Sequence, residues 1–177
     1  MTVRAVQTPD LSPIDRTRLR RLLNAAFDGD FSDFDWDHAL GGWHVVVVDA
    51  GELVAHAAVV PRRLEVTARA FNTGYAEAVA VMPSRQRQGL GSTVMRHANE
   101  IVYREFEFGA LSTGRCAFYE RIGWERWLGP SWVRQPDGQL VRTPDEDAGL
   151  MIFRCAPSRH VDLTASITCE ARAGESW

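Results

Sequence analysis

From Ser84 the chain reads Ser-Arg-Gln-Arg-Gln-Gly-Leu-Gly, and Ser92-Thr93-Val94-Met95 follows. Gly89 and Gly91 let a backbone come close to a phosphate with no Cβ in the way, while Arg85 and Arg87 add positive charge at the rim. If a helix begins here, several N–H groups of its first turn point out of the loop and make an anion site. The chemistry suited to such a loop is the holding of a phosphate or pyrophosphate. Neither the Gly-Lys-Ser/Thr of a nucleoside triphosphate loop nor the Gly-x-Gly-x-x-Gly of a dinucleotide loop is present.

Two elements must position this loop. Before it, Glu77, Val79 and Val81 alternate with Ala76, Ala78 and Ala80, the period of a strand, and Pro83 ends that strand. After it, Leu90, Val94, Ala98, Ile101 and Val102 form one apolar stripe at helical spacing, with Arg96, Asn99 and Glu100 outside it. A strand–loop–helix setting is the context that gives a short glycine motif meaning.

Two acidic stretches could do further work. Phe27 to Asp37 places five aspartates (Asp28, Asp30, Asp33, Asp35, Asp37) among four aromatics, Trp36 among them. A solvated acidic loop and a wall that stacks on a ligand and pairs with its cations both fit that composition. The second stretch is Thr143-Pro144-Asp145-Glu146-Asp147.

The remaining elements read as scaffold. Thr2 to Thr8 alternates as an edge strand, and Ser12-Pro13 reads as a helix N-cap with proline in the first position, followed by Leu19, Leu22, Leu23, Ala26 and Phe27 at helical spacing. His44 to Asp49 and Leu53 to Val60 flank a turn as a hairpin covered on both faces, with His56 expected as a satisfied core histidine. Leu64–Thr67 and Phe71–Val81 form a further strand pair. Gly109–Ser112 is a short buried strand, Thr113–Trp124 holds a short helix with a glycine C-cap, and Leu150–Cys155 is another apolar strand.

With 177 residues, 45% of them hydrophobic, the chain suits one domain spanning 1–177, of mixed α+β class. A net charge of −3 and no Lys/Arg-rich run argue against a nucleic-acid partner and favour a cationic substrate. No apolar signal region or membrane-length run occurs, so a cytoplasmic protein with no membrane partner is expected. Cys116, Cys155 and Cys169 contain no Cys-x-x-Cys pair; buried thiols and no metal site are the expectation.

Gln86-Arg87-Gln88-Gly89-Leu90-Gly91 resembles the pyrophosphate loop Gln/Arg-x-x-Gly-x-Gly/Ala of the GCN5-related N-acetyltransferases (GNAT). The order of elements, ending in Phe118-Tyr119-x-x-x-Gly123-Trp124, resembles that fold along the whole length. Phe31–Gly42, Gly74–Glu77, Gly109–Ser112, Arg142–Asp145 and Arg172–Trp177 look more narrowly like the aminoglycoside 2'-N-acetyltransferases of actinobacteria.

The resemblance implies a central, mostly antiparallel sheet flanked by helices and splayed where acetyl-coenzyme A binds. It implies direct acetyl transfer to an amine of an aminoglycoside in a ternary complex, and often a homodimer. Glu77 would take the ammonium proton through a water, and Tyr119 would return one to the departing thiolate. Val79, Ala80 and Val81 would pair with the pantetheine arm, with a strand N–H stabilising the oxyanion, while Arg87, Gln88, Gly89, Leu90, Gly91 and Ser92 cradle the pyrophosphate. Asp30, Asp35, Trp36, Glu77, Ala78, Ser112, Glu146, Asp147, Glu175 and the carboxylate of Trp177 would line the acceptor site. Glu146 and Glu175 stand where the family has aspartate, and a residue is inserted after Glu146, so Glu146 and Asp147 remain alternatives. Two other readings are an acetyltransferase for a polyamine, cellular amino sugar or protein amine, and a non-catalytic coenzyme A-binding module.

Overall fold

Ser12 Oγ accepts from Asp15 N–H at 3.1 Å with Pro13 in the first turn, and the helix so capped, α1, runs Pro13–Ala26. The computed structural model describes residues 1–177. These divide into two units, Met1–Val60 with Ala76–Ile101, and Pro61–Tyr75 with Val102–Trp177. Strands β3 (Glu52–Val66) and β4 (Arg69–Val81) and helix α3 (Leu90–Glu105) contribute residues to both.

In the first unit β1 (Thr2–Gln7) pairs antiparallel with β2 (Trp43–Asp49), and β2 with β3. Ala50 (φ +48°) and Gly51 (φ +83°) make the tight turn of the hairpin, the two left-handed residues that a two-residue connection of that hand requires. Val45, Val46 and Val47 and the whole Leu53–Val60 run are buried, as expected for a sheet covered on both faces. One core cluster joins Leu11, Leu19, Leu22, Val46 and Leu53; another joins Leu23, Phe31 and Ala80.

The acidic aromatic segment is more ordered than a loop. Asp33–His38 is a helix, α2, held by a capping box in which Asp35 N–H donates to Ser32 Oγ at 3.1 Å and Asp35 Oδ2 accepts from Ser32 N–H at 2.8 Å. Leu53–Val60 and Leu64–Thr67, expected as separate strands of two different pairs, are one strand, β3, that passes through Pro61. Pro61 lies after the residues paired with β2 (Glu52–Val59) and before those paired with β10 (Ile167–Glu170).

The second unit contains β5 (Phe108–Ser112), α4 (Cys116–Glu120), β6 (Glu125–Arg126), β7 (Ser131–Arg134), β8 (Leu140–Arg142), β9 (Leu150–Arg154) and β10. The strand order is β6-β9-β5-β4-β3-β10-β7-β8. The β4–β5 and β7–β10 ladders are parallel, while β3–β10, β5–β9, β6–β9 and β7–β8 are antiparallel. Phe71 stacks on Phe108 at 5.2 Å between ring centroids. Gly109 is required by packing, because a Cβ there would meet Phe153 Cβ at 2.8 Å and Val102 Cγ1 at 2.9 Å. The β4–β5 ladder covers only Thr73–Tyr75 with Phe108–Ala110. Beyond Tyr75 and Ala110 the two strands run on without pairing with each other.

The expected stripe of α3 is buried at Leu90, Val94, Ala98, Ile101 and Val102; Asn99, expected outside it, is buried as well. All three cysteines are free and buried, and burial pushes the Cys155 and Cys169 thiols up to about 11. No helix is long and apolar enough to cross a membrane.

Candidate active site

The phosphate-loop residues lie where β4 gives way to α3. Arg87 (φ +61°) and Gly89 (φ +79°) are both left-handed, a backbone that turns successive N–H groups into a shallow anion-binding concavity ahead of the helix. No heavy atom lies within 4 Å of a Cβ placed on Gly89, so glycine serves conformation there and leaves open space above the loop. Gly89 carbonyl accepts from Thr93 N–H at 3.0 Å and from Thr93 Oγ1 at 3.1 Å, fixing the first turn of α3. Leu90 turns its side chain into the core, while Gly91 and Ser92 are half-buried and Gln88 and Arg87 exposed.

The two arginines part company. Arg87 stays exposed, but Arg85 Nη2 donates to Asp49 Oδ2 at 2.6 Å and Arg85 Nε to Gln88 Oε1 at 3.1 Å. Arg85, followed by the chain's amino terminus, holds the Asp49 carboxyl below the usual carboxylate range. Arg85 therefore braces the loop from behind, and Arg87 is the rim charge.

Glu77 sits half-buried in β4, one residue before Ala78 in the same unbroken strand. Ala78 has φ +49°, a left-handed conformation that costs a non-glycine residue about 1–2 kcal/mol. It interrupts the alternation of side chains, so that Glu77, Ala78 and Val79 are all half-buried between buried Ala76 and Ala80. Val79 and Val81 are half-buried, and Ala80 packs against Leu23 and Phe31, which leaves its backbone as the part able to meet a ligand.

In the other unit, Tyr119 on α4 is buried, its ring meeting Phe118 edge-on at 4.9 Å and Trp124 at 6.0 Å. Burial raises its phenol well above the ordinary value, with the Arg115 charge opposing, so the hydroxyl keeps its proton at neutral pH. An open cavity of about 660 Å³ is lined by residues that include Ser112, Arg115, Phe118, Arg121, Arg126 and Glu146. Ser112 Oγ donates to Glu146 Oε2 at 2.9 Å, so the serine at the end of β5 orients the glutamate in this cavity.

Asp147 is placed differently. Arg142 holds both of its oxygens, and Ser131 donates to Oδ1 through N–H at 3.0 Å and Oγ at 2.7 Å. The Arg142 and Ser131 bonds keep its carboxyl below the usual range. Its carboxylate ties β7, β8 and the Pro144–Glu146 turn together.

The other acceptor-site residues are scattered in character. Asp35 is half-buried with Oδ2 committed to the Ser32 cap, a Ser-x-x-Asp spacing visible in the sequence. Trp36 packs against both core clusters with Arg20 over its ring at 5.5 Å, so its indole serves the core. Asp30 and Glu175 are exposed. Trp177 is buried, its Nε1 donating to Thr143 Oγ1 at 3.1 Å, and it is fixed in place instead of frayed.

The profile of the acetyltransferase (GNAT) domain matches residues 10–127. The chain belongs to that family. It is 43% identical over 180 residues to the aminoglycoside 2'-N-acetyltransferase of Mycolicibacterium fortuitum, covering 99% of this chain and 92% of that protein. Among solved structures, the GNAT family N-acetyltransferase YhbS of Escherichia coli, in complex with CoA, matches with TM-score 0.70 and 18% identity, covering 99% of this chain and 94% of that one. A GNAT family acetyltransferase from Brucella melitensis, in complex with acetyl-CoA, matches with TM-score 0.55 and 19% identity over 70% of this chain and 83% of that one. At such identities the structural matches speak for the fold.

Proposed function

We propose that this chain transfers the acetyl group of acetyl-CoA directly to the 2'-amine of aminoglycosides, both substrates being bound together. The observation that carries this reading is the likeness, along nearly the whole chain, to an aminoglycoside 2'-N-acetyltransferase. Acetyl-CoA supplies the acetyl group. The left-handed backbone at Arg87 and Gly89 suits its pyrophosphate, with Gln88, Leu90, Gly91 and Ser92 supplying backbone around it. The β4 backbone through Val79, Ala80 and Val81, no longer paired with β5, suits an extended pantetheine arm.

The acceptor arrives as an ammonium and must lose a proton to become nucleophilic. Glu77 is the base, acting through a water, and Tyr119, protonated by virtue of its burial, is the acid that returns a proton to sulfur. Glu146, oriented by Ser112, is the carboxylate that meets an acceptor amine; Asp147 is structural. Asp30, Asp35, Glu175 and Trp177 are the further candidates for acceptor contacts. The working form is cytoplasmic and a homodimer, for which exposed Leu140 and Val141 on edge strand β8 offer an apolar surface.

Glu146→Gln tests the acceptor class. Loss of one charge-assisted contact, worth about 1.5–3 kcal/mol, raises KM for neamine about ten- to a hundredfold. Thiol release from acetyl-CoA is to be followed with neamine, spermidine and a lysine peptide. Turnover of neamine alone, with the KM shift, supports the reading; preferred turnover of spermidine or the peptide replaces it with a different amine acceptor.

A further inference from the structure

Thr8 just after β1, His44 on β2, His56 on β3 and Ala78 on β4 all belong to the first unit, and their polar atoms form one unbroken chain. His56 Nδ1 lies 2.8 Å from Ala78 carbonyl, His44 Nδ1 lies 3.0 Å from His56 Nε2, and Thr8 Oγ1 lies 2.8 Å from His44 Nε2. Both imidazoles are fully buried.

The proton positions follow from the last link. A carbonyl only accepts, so His56 Nδ1 carries the hydrogen. With both rings neutral, His56 Nε2 accepts from His44 Nδ1–H, and His44 Nε2 accepts from the Thr8 hydroxyl, whose hydrogen is shared with Gly42 carbonyl at 3.1 Å and whose oxygen accepts from Gly41 N–H at 2.9 Å. Burial holds His44 down to about 3, helped by His56 and by Arg16 of α1, and holds His56 down to about 4 against the raising effect of Ala78 carbonyl.

A β-bulge makes the chain possible. The hairpin pairs Asp49 with Glu52 and Val48 with Leu53, but after the register shift at Val47/Val48 it pairs Val46 with His56 and His44 with Ala58. Unshifted pairing would put the two histidines on opposite faces; the extra residue puts them on one face, where the rings meet at 5.3 Å between centroids.

We infer that Thr8, His44 and His56 are positioning residues for the transfer reaction, holding the left-handed turn at Ala78 and thereby the direction of the Glu77 carboxylate beside it. The inference rests on the reading of Glu77 as the base. Because the chain ends on a carbonyl, it has no group that could receive the Glu77 proton. It fixes geometry and carries no proton.

His56→Asn keeps an N–H donor at the place of Nδ1, whereas His56→Leu removes it. In the full-length protein, His56→Leu lowers kcat about 10²-fold, the scale of an ångström-sized misplacement, with Kd for coenzyme A by calorimetry unchanged, and His56→Asn restores most of kcat. A merely stabilising role would lower the melting temperature of both variants without that split. Wild-type kcat in folded His56→Leu overturns the inference. So does ¹⁵N NMR of the unaltered chain if His56 bears its proton on Nε2, a measurement that decides the matter even where His56→Leu does not fold. The base reading fails separately, by full kcat in Glu77→Gln, and the NMR result stands apart from it.

Discussion

Glu77→Gln lowers kcat by about 10²–10⁴-fold, the range a positioned general base contributes. The amide matches the carboxylate in size and position on β4, so coenzyme A affinity and melting temperature stay near those of the parent. The acceptor ammonium then loses its proton only to solvent, and the deficit narrows as pH rises and more free amine is present. Steady-state kinetics between pH 6 and pH 9, with calorimetric binding of coenzyme A, check this. Unchanged kcat would remove Glu77 from the chemistry.

The second large effect belongs to Tyr119→Phe, expected to lower kcat about 10²-fold through loss of a general acid. The ring lies buried between Phe118 and Trp124, so phenylalanine retains the packing and removes only the hydroxyl. Burial raises the phenol above its ordinary value of about 10, so the parent enzyme shows no alkaline fall from Tyr119 across the neutral range. If sulfur departure is the slow step, a donor with a better leaving thiol recovers part of the loss. A full-rate Tyr119→Phe enzyme would assign the proton to water.

The site was most legible where local chemistry decides conformation. Two glycines between strand and helix were enough to place a connecting loop with left-handed backbone at Arg87 and Gly89, and Ser12-Pro13 placed the start of α1. Arg85 was misjudged because its partner, Asp49, is 36 residues away. The Phe27–Asp37 segment hid a helix because its start depends on one Ser-x-x-Asp cap amid five aspartates of similar appearance. Strand β10 was missed because Ile167–Glu170 is short and pairs with residues remote in sequence, Leu64–Val66 and Ser131–Arg134.

His56 was legible as a satisfied core histidine but its partners were not. Their meeting depends on one bulge at Val47/Val48, which nothing in a run of four valines announces. The partners of Glu146 and Asp147, namely Ser112 for the first and Arg142 and Ser131 for the second, were likewise not legible, since Ser112 and Ser131 lie remote in sequence.

The central claim, acetyl transfer to the 2'-amine, is tested most directly with two matched acceptors. Kanamycin B carries an amine at the 2' carbon and kanamycin A a hydroxyl there. Release of coenzyme A thiol from acetyl-CoA with kanamycin B and none with kanamycin A is the predicted result. Equal turnover of the two would contradict the 2' assignment, and silence with both would contradict the aminoglycoside acceptor itself.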